Sequence, residues 1–392
     1  MTRTLRGRLR FRSHLARLGM GGLVAGCVLA GLEITARVTG IADEPPPEVK
    51  VDQASPLVRH PTRLWAMAPG TYQVDGVQST IGEDGLRGDP PQLPRPAGRE
   101  RILLLGDSSW FGFGVADDQT MAAQLGERLR QHGLDAEVIN GGVPGYSTEQ
   151  TRIQLDEQGW GYDPTLLLLG GLWSDSTFDR ASDRDLLPAT ASAHTSLLGR
   201  SALARLLARR LDRLGGGVGA RVLSWPTSPL VPAAGVRRVP LADYAANLDR
   251  MIRAARDRGV GAALLAPGNR HVVAQGPDAP AAWTVYFRVQ ERVAEHHGIP
   301  IVRGWAALRD ATPSQGIEAL FVDDLHPSAA GQAAVAEAVE AGLKAAGWPA
   351  ERLLGSAVPL DARTLVDDTP DHLRHGMTEN SPFKMLEADT AP

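Results

Sequence analysis

The sequence predicts an α/β fold in which a parallel β-sheet carries helices on both of its faces. Short, continuously apolar runs recur between residues 101 and 302, as expected for strands that are buried on both faces. Segments with apolar residues at helical spacing separate these runs. Strand and helix patterns therefore alternate as far as residue 346, which is typical of a parallel sheet with short connections.

The individual elements follow from apolar periodicity and from residues that cap helices. Five strands are predicted, at residues 101–105, 137–140, 165–169, 261–266 and 299–302. Helices are predicted at residues 120–131, from 147 onward, at 241–255, 281–296 and 328–346. Ser147 has Gln150 three residues later, the spacing of a capping box that opens a helix.

Residues 179–239 interrupt this alternation and are predicted to form an insertion. It contains an Arg-rich amphipathic helix at about residues 197–214. The apolar stripe of that helix favours packing on the domain, or a lid, over membrane binding. The stripe consists of Leu203, Leu206, Leu207 and Leu211.

Positive charge is concentrated at the start of the chain. The 392 residues carry a formal net charge of −4, and the first 17 contain six arginines and no acidic residue. The remaining residues therefore carry −10. Because contacts with phosphate need a basic surface, this acidic body argues against nucleic acid as a partner.

An apolar segment follows the basic start. Residues 18–32 contain no charged residue, and residues 34–36 extend the segment past Glu33. A membrane-spanning helix needs about 17 to 25 residues, and arginines before it stay on the cytoplasmic side. We therefore expect residues 18–39 to form a transmembrane signal anchor, which makes the protein a single-pass cell-membrane protein with its body outside the cytoplasm.

Three alternatives to the anchor remain open. The segment can be a cleaved export signal, a lipoprotein signal or a buried helix of a soluble protein. The lipoprotein alternative rests on Val24-Ala25-Gly26 before Cys27, which would be the lipidated residue. Because Cys27 is the only cysteine, an intrachain disulfide and a thiolate zinc site are excluded.

The whole chain is predicted to have five parts. These are a basic cytoplasmic segment (1–17), the anchor (18–39), a Pro-rich stalk with an irregular lead-in (40–97), the α/β domain with its insertion (98–350) and a loosely ordered tail (351–392). Within the lead-in, only a short strand near residues 72–77 is expected.

Four short motifs are predicted to lie at one edge of the sheet. Gly106-Asp107-Ser108, a glycine-rich stretch ending at Gly145, and Trp173-Ser174-Asp175 follow the first three strands, and Asp323 to His326 precede the last helix. In parallel sheets, ligands bind at the carboxyl ends of the strands. Taken singly, each motif is also compatible with an ordinary turn or a helix cap.

Together, the motifs contain the groups that nucleophilic catalysis requires. A serine hydroxyl attacks a carbonyl when a base accepts its proton and a third group orients that base. Asp323 lies three residues before His326 and can accept the second ring proton of that histidine. A glycine amide and a side-chain donor nearby can stabilise a negatively charged oxygen.

In their order and spacing, these motifs resemble the SGNH/GDSL hydrolase family over about residues 83–346. The stretches that carry the resemblance are GLRG (85–88), RILLLGDSSWFGFGV (101–115), VINGGVPGYST (138–148) and DDLHPSAAG (323–331). The resemblance implies a three-layer α/β/α sandwich with a five-stranded, flavodoxin-like sheet. It also implies that Ser108 is the nucleophile and an oxyanion donor, Gly145 a second donor, His326 the base and Asp323 its orienting residue.

One position departs from the family pattern. Ser174 occupies the place of an asparagine whose amide usually donates to the oxyanion. A serine hydroxyl reaches less far, and loss of one such donor lowers the rate by roughly 10²–10³-fold. Ser174 is retained as a candidate oxyanion residue.

The expected function is therefore serine ester hydrolysis outside the cytoplasm through an acyl-Ser108 intermediate. The family suggests O-acylated carbohydrate or a lipid ester as the substrate. Two alternatives are an O-acyltransferase of cell-surface polysaccharide and a non-catalytic binding protein with the same fold. No cofactor is expected, and no metal is expected because the other histidines lack ligand spacing.

Overall fold

The computed structural model describes residues 3–39, 56–74, 76–179, 181–195, 200–213, 236–279, 281, 283–362 and 364. The chain divides into two compact units, which are described separately. The larger unit comprises residues 47–188 and 229–392, and the smaller comprises residues 1–46 and 189–228. The predicted Pro-rich stalk at residues 42–51 and most of the predicted tail lie outside the described residues.

Two β-hairpins precede the main sheet of the larger unit. Strands β1 (Leu57–His60) and β2 (Leu64–Met67) pair antiparallel, as do β3 (Gly70–Val74) and β4 (Val77–Ile81). The expectation of irregular structure here, with one strand at residues 72–77, is wrong because a turn at Gly76 separates two paired strands. Strands of four or five residues are too short to show a clear apolar alternation.

The main sheet has five parallel strands and confirms the predicted α/β fold. The remaining strands in chain order are β5 (Glu100–Gly106), β6 (Ala136–Gly142), β7 (Leu166–Gly170), β8 (Phe178–Asp179), β9 (Val236–Arg237), β10 (Gly261–Ala266) and β11 (Ile301–Arg303). The parallel strands lie in the order β6-β5-β7-β10-β11, which is flavodoxin-like. The short strands β8 and β9 pair with each other, so the ends of the insertion meet.

The helices, in chain order, are α1 (Arg3–Val38), α2 (Ser108–Phe111), α3 (Met121–Gln131), α4 (Thr148–Glu157), α5 (Trp173–Ser176), α6 (Asp183–Thr195), α7 (Ala202–Arg213), α8 (Leu241–Asp257), α9 (Arg270–Gln275), α10 (Thr284–His297), α11 (Gly304–Gln315) and α12 (Ala329–Ala345). The five predicted helices of the domain are confirmed within a few residues. The predicted capping box of Ser147 and Gln150 is present at the start of α4. Helix α6 was not predicted, since Pro188 interrupts its sequence pattern.

Apolar side chains cover both faces of the sheet. Leu103 and Leu105 of β5 point into one cluster with residues of α8 and α10. Ile102 and Leu104 point into a second cluster with residues of α3 and α12. The domain is therefore a three-layer α/β/α sandwich whose strands are buried on both sides.

The smaller unit contains α1 and α7. Within α1, residues Met20–Val38 are long and apolar enough to cross a membrane, by length and composition alone. The carboxylate of Glu33 accepts hydrogen bonds from the backbone N–H groups of Ala202 and Leu203, each at 2.9 Å. Glu33 thus caps the first turn of α7, a position where a negative charge is favourable.

Candidate active site

The structure brings together the three residues that the sequence predicts as nucleophile, base and orienting acid. The Oγ of Ser108 lies 2.8 Å from Nε2 of His326, although 218 positions separate the two residues. The Nδ1 of the same ring lies 2.8 Å from Oδ2 of Asp323. This chain of contacts allows a proton to pass from the hydroxyl to the ring while the carboxylate holds the ring in place.

Ser108 occupies the switch point of the sheet. It follows β5, which pairs with β6 on one side and with β7 on the other. Connections from neighbouring strands leave in opposite directions there, so the carboxyl ends form a crevice. The Trp110 side chain packs over Gly106 and Gly170, where an added Cβ on either glycine would overlap its indole ring.

Asp107 fixes the turn that presents Ser108. Its side chain is buried and accepts a hydrogen bond from the backbone N–H of Ser109 at 3.0 Å, which caps α2. Burial raises the pKa of this carboxyl, while that hydrogen bond and the nearby His326 act in the opposite direction. Among the described residues, none accepts a hydrogen bond from the backbone N–H of Ser108.

The loop of His326 is organised by Asp323. Besides contacting the ring, the carboxylate accepts hydrogen bonds from the backbone N–H groups of Leu325 and His326, at 2.7 and 2.6 Å. Burial alone would raise the pKa of Asp323, but His326 and these N–H groups lower it below its ordinary value. The carboxylate therefore stays ionised beside the imidazole.

Phe113 is a member of the site that sequence reasoning missed. Its ring stacks on the His326 ring with 4.6 Å between centroids and 32° between planes. The stretch WFGFGV contains two phenylalanines, and nothing in their spacing indicates which one would reach the histidine. Phe113 therefore packs against one face of the imidazole, whose two nitrogens contact Asp323 and Ser108.

Gly145 lies in the turn between β6 and α4. Its φ angle of +78° is in the left-handed region, which a glycine adopts without strain. Of the residues that the structure describes, none accepts a hydrogen bond from the Gly145 N–H. The carbonyl of Gly145 is held by Arg238, whose Nη1 lies 2.9 Å away.

Ser174 lies on the short helix α5 and is half-buried. Its hydroxyl forms no hydrogen bond with any residue in the described part of the chain. The neighbouring Trp173 donates from Nε1 to Oγ of Ser109 at 3.2 Å, which ties α5 to α2. The hydroxyl of Ser174 therefore remains available to a ligand.

Asp175 connects α5 to the start of α4. Its buried carboxylate accepts hydrogen bonds from the N–H and the Oγ1 of Thr148, at 2.9 and 2.5 Å. Burial raises the pKa of Asp175 to about 7, against the lowering effect of the Thr148 hydrogen bonds and of Arg238.

One cluster away from this edge contains possible metal ligands. Asp249, His296 and His297 place one ligand atom each within 4.8 Å of one another. Both oxygens of Asp249 are already used, one by Arg253 and one by the N–H of Leu360, each at 3.0 Å. Asp249 is therefore already engaged by donors of the protein, and burial lowers the pKa of His297.

Two cavities of about 150 and 300 Å³ lie beside the lead-in hairpins and β6. Neither is lined by Ser108 or by His326. The contacts among Ser108, His326 and Asp323, and not the size of a cavity, therefore define the candidate site.

Several solved structures resemble the chain at low sequence identity. An α/β hydrolase enzyme from the metagenome of Lake Arreo is 19% identical with a TM-score of 0.41, over 66% of this chain and 97% of the other. A lipolytic G-D-S-L family protein from Desulfitobacterium hafniense is 14% identical with a TM-score of 0.40, over 62% and 99%. An acetylxylan esterase from Geobacillus stearothermophilus is 18% identical with a TM-score of 0.40, over 65% and 96%.

No curated protein sequence shows significant similarity to the chain. Residues 104–334, more than half of the chain, match the model of the GDSL-like lipase/acylhydrolase family. This match spans Ser108, Gly145 and His326, and the sheet order agrees with it. The chain thus belongs to the GDSL-like lipase/acylhydrolase family and is a carboxylic ester hydrolase.

Proposed function

We propose that the protein hydrolyses esters through a covalent acyl intermediate on Ser108. The observation that carries this proposal is the contact of 2.8 Å between Ser108 Oγ and His326 Nε2, with Asp323 on the far side of the ring. A serine hydroxyl is a weak nucleophile unless such a base accepts its proton.

The reaction proceeds in two steps. Ser108 Oγ attacks the ester carbonyl carbon while its proton moves to His326 Nε2, and the tetrahedral intermediate collapses with that proton passing to the leaving alcohol. Water then attacks the acyl-enzyme, gives a proton to His326, and the acid departs as the proton returns to Ser108.

The oxyanion of both tetrahedral intermediates is stabilised by the backbone N–H groups of Ser108 and Gly145. Neither N–H has an acceptor among the described residues, so both can donate a hydrogen bond to the substrate oxygen. The free hydroxyl of Ser174 serves as a third, weaker donor in place of the family asparagine.

The reaction is proposed to occur outside the cytoplasm, with α1 as a membrane anchor. Arginines precede the apolar part of α1, which favours a cytoplasmic N-terminus. O-acylated carbohydrates of the cell surface and lipid esters are the substrates that such a location makes accessible.

The test is hydrolysis of p-nitrophenyl esters from acetate to dodecanoate by the full-length protein in detergent. Activity should vanish in Ser108→Ala and persist in Ser314→Ala, a matched change at an exposed serine. Ser174→Asn should raise kcat, by up to roughly 10²-fold if its amide reaches the oxyanion. Activity that survives in Ser108→Ala would overturn the proposed nucleophile.

The acyl chain length that is hydrolysed fastest distinguishes acetyl esters from lipid esters as the substrate class. Faster release of the alcohol when sugar acceptors are added, with transfer of the acyl group to the sugar, would identify an acyltransferase instead. A folded wild type without activity, and without gain in Ser174→Asn, would favour a dedicated acyltransferase or a binding protein over the proposed hydrolase.

A further inference from the structure

Two segments far from each other in sequence hold the turn of Gly145. Trp65, from β2 of the first hairpin, donates from Nε1 to the carbonyl oxygen of Pro144 at 3.0 Å. Arg238, directly after β9 at the end of the insertion, donates from Nη1 to the carbonyl oxygen of Gly145 at 2.9 Å. The peptide groups on both sides of the Gly145 Cα are therefore fixed by side chains.

The hydrogen bond from Trp65 sets the direction of the Gly145 N–H. The Pro144 carbonyl and the Gly145 N–H belong to one planar peptide, and this peptide is trans. In a trans peptide the C=O and the N–H point in opposite directions. With the Pro144 oxygen held by the indole, the Gly145 N–H must point away from Trp65, where no described residue accepts it.

The indole itself is held rigidly. Trp65 is buried, and its backbone oxygen accepts a hydrogen bond from the Tyr146 hydroxyl at 2.6 Å. The Trp65 and Tyr146 rings meet edge to face with 5.9 Å between centroids. A Cβ added at Gly145 would lie 3.1 Å from the Trp65 ring, so the ring also restricts what can occupy the turn.

Arg238 is equally constrained. Its Nη2 lies 2.7 Å from both Asp183 Oδ2 and Gln150 Oε1, and its guanidinium lies 5.7 Å from the Trp65 ring centroid. Asp183 also accepts a hydrogen bond from the Ser147 hydroxyl at 2.6 Å. Burial opposes the charge of Arg238, but Asp183 raises its pKa, so the guanidinium stays protonated.

We propose that Trp65 and Arg238 are positioning residues that orient the Gly145 N–H for the oxyanion. This inference rests on the proposed ester hydrolysis and extends it to the lead-in hairpin and to the insertion. Oxyanion donors act by being oriented before charge develops, so a donor that turns freely stabilises the transition state less. Replacing Trp65 or Arg238 should therefore lower kcat and leave the ground-state binding of the substrate unchanged.

The direct test is Trp65→Phe in the full-length protein, which removes the N–H donor and keeps an aromatic ring. Trp160→Phe is the matched control, because the Trp160 Nε1 has no partner in the described part of the chain. We expect kcat on p-nitrophenyl acetate to fall about tenfold to hundredfold in Trp65→Phe, with KM within about twofold. Equal kcat values in Trp65→Phe and Trp160→Phe would overturn the inference.

A second measurement separates misorientation from partial unfolding. Complete reaction with a p-nitrophenyl phosphonate releases one nitrophenol per functional site, so its stoichiometry counts folded sites. We expect unchanged stoichiometry and a slower rate in Trp65→Phe and in Arg238→Lys, which keeps the charge beside Asp183 but has no guanidinium fork. Reduced stoichiometry at an unchanged rate in both variants would show a purely structural role.

The proposed function and the proposed positioning role are refuted by different results. Full activity in Ser108→Ala would remove the serine mechanism altogether. Activity that depends on Ser108 but not on Trp65 or Arg238 would leave the mechanism intact and refute the positioning role alone.

Discussion

Asp323 uses its two carboxylate oxygens for different tasks. Oδ1 accepts the backbone N–H groups of Leu325 and His326, and Oδ2 contacts the His326 ring. The first task shapes the loop, and the second selects the tautomer in which Nε2 is free to accept the Ser108 proton. In the proposed mechanism, one residue therefore sets both the position and the tautomer of the base.

Replacing Asp323 by asparagine should separate these tasks. The amide oxygen of Asp323→Asn can still accept the backbone N–H groups, but its NH₂ would face Nδ1 and favour the wrong tautomer. We expect kcat to fall roughly 10³–10⁴-fold with little change in the thermal unfolding midpoint. Asp324→Asn, at the exposed neighbour that contacts Arg270, is the control and should keep activity. A loss of less than tenfold in Asp323→Asn would argue against the proposed triad.

The sequence was sufficient to propose the triad residues but not the residues that support them. Ser108, Asp323 and His326 lie in short motifs whose residue types and spacing indicate their possible chemistry. Trp65, Phe113 and Arg238 act through contacts across 79, 213 and 93 positions of sequence. The residues next to a tryptophan or an arginine in the sequence do not indicate which distant carbonyl it will contact.

At the scale of elements, Asp175 joins α5 to α4. Its carboxylate accepts the N–H of Thr148, the first residue of α4, where the helix dipole favours a negative charge. Burial is the larger effect, and it raises the pKa of Asp175 to about 7. Near neutral pH this junction therefore holds a carboxyl that gains or loses a proton.

The stability of the domain should reflect that proton. Between pH 4 and 7 the folded protein keeps the Asp175 proton and the unfolded chain releases it, so the free energy of unfolding falls as the pH rises through this window. The slope from this group is at most roughly 1.4 kcal/mol per pH unit. Urea unfolding of residues 41–392 at pH 5 and pH 7 should show a smaller pH effect in Asp175→Asn than in the wild type. Identical pH effects would mean that Asp175 is ionised throughout.

Elements with a strong apolar periodicity were predicted well. Elements that depend on contacts with distant segments of the chain were not. The strand at residues 261–266 is confirmed without change, because a continuous apolar run between Gly and Pro signals has few alternatives. The hairpins at residues 57–81 were missed because they form by strand pairing, and the first of them also contacts the turn of Gly145 through Trp65.

At the scale of the whole molecule, the proposed anchoring role of α1 can be tested by fractionation. Full-length protein expressed in a bacterium should sediment with membranes and be released by detergent but not by high salt. A chain that starts at residue 41 should be soluble and have unchanged kcat/KM on p-nitrophenyl acetate, because the catalytic residues lie elsewhere. Cys27→Ala should stay with the membrane if α1 spans it, and release by that substitution would support lipidation. Full-length protein in the soluble fraction would contradict an anchor.

The separation of Ser108 and His326 by 218 positions has a consequence for biosynthesis. The proposed base lies beyond the last strand of the sheet, so a chain emerging from the ribosome carries the proposed nucleophile long before the residue that would activate it. At a synthesis rate of about 5–20 residues per second, this interval lasts roughly 10–40 s. The proposed mechanism therefore predicts that the growing polypeptide is inert toward esters until His326 has been added and folded against Ser108.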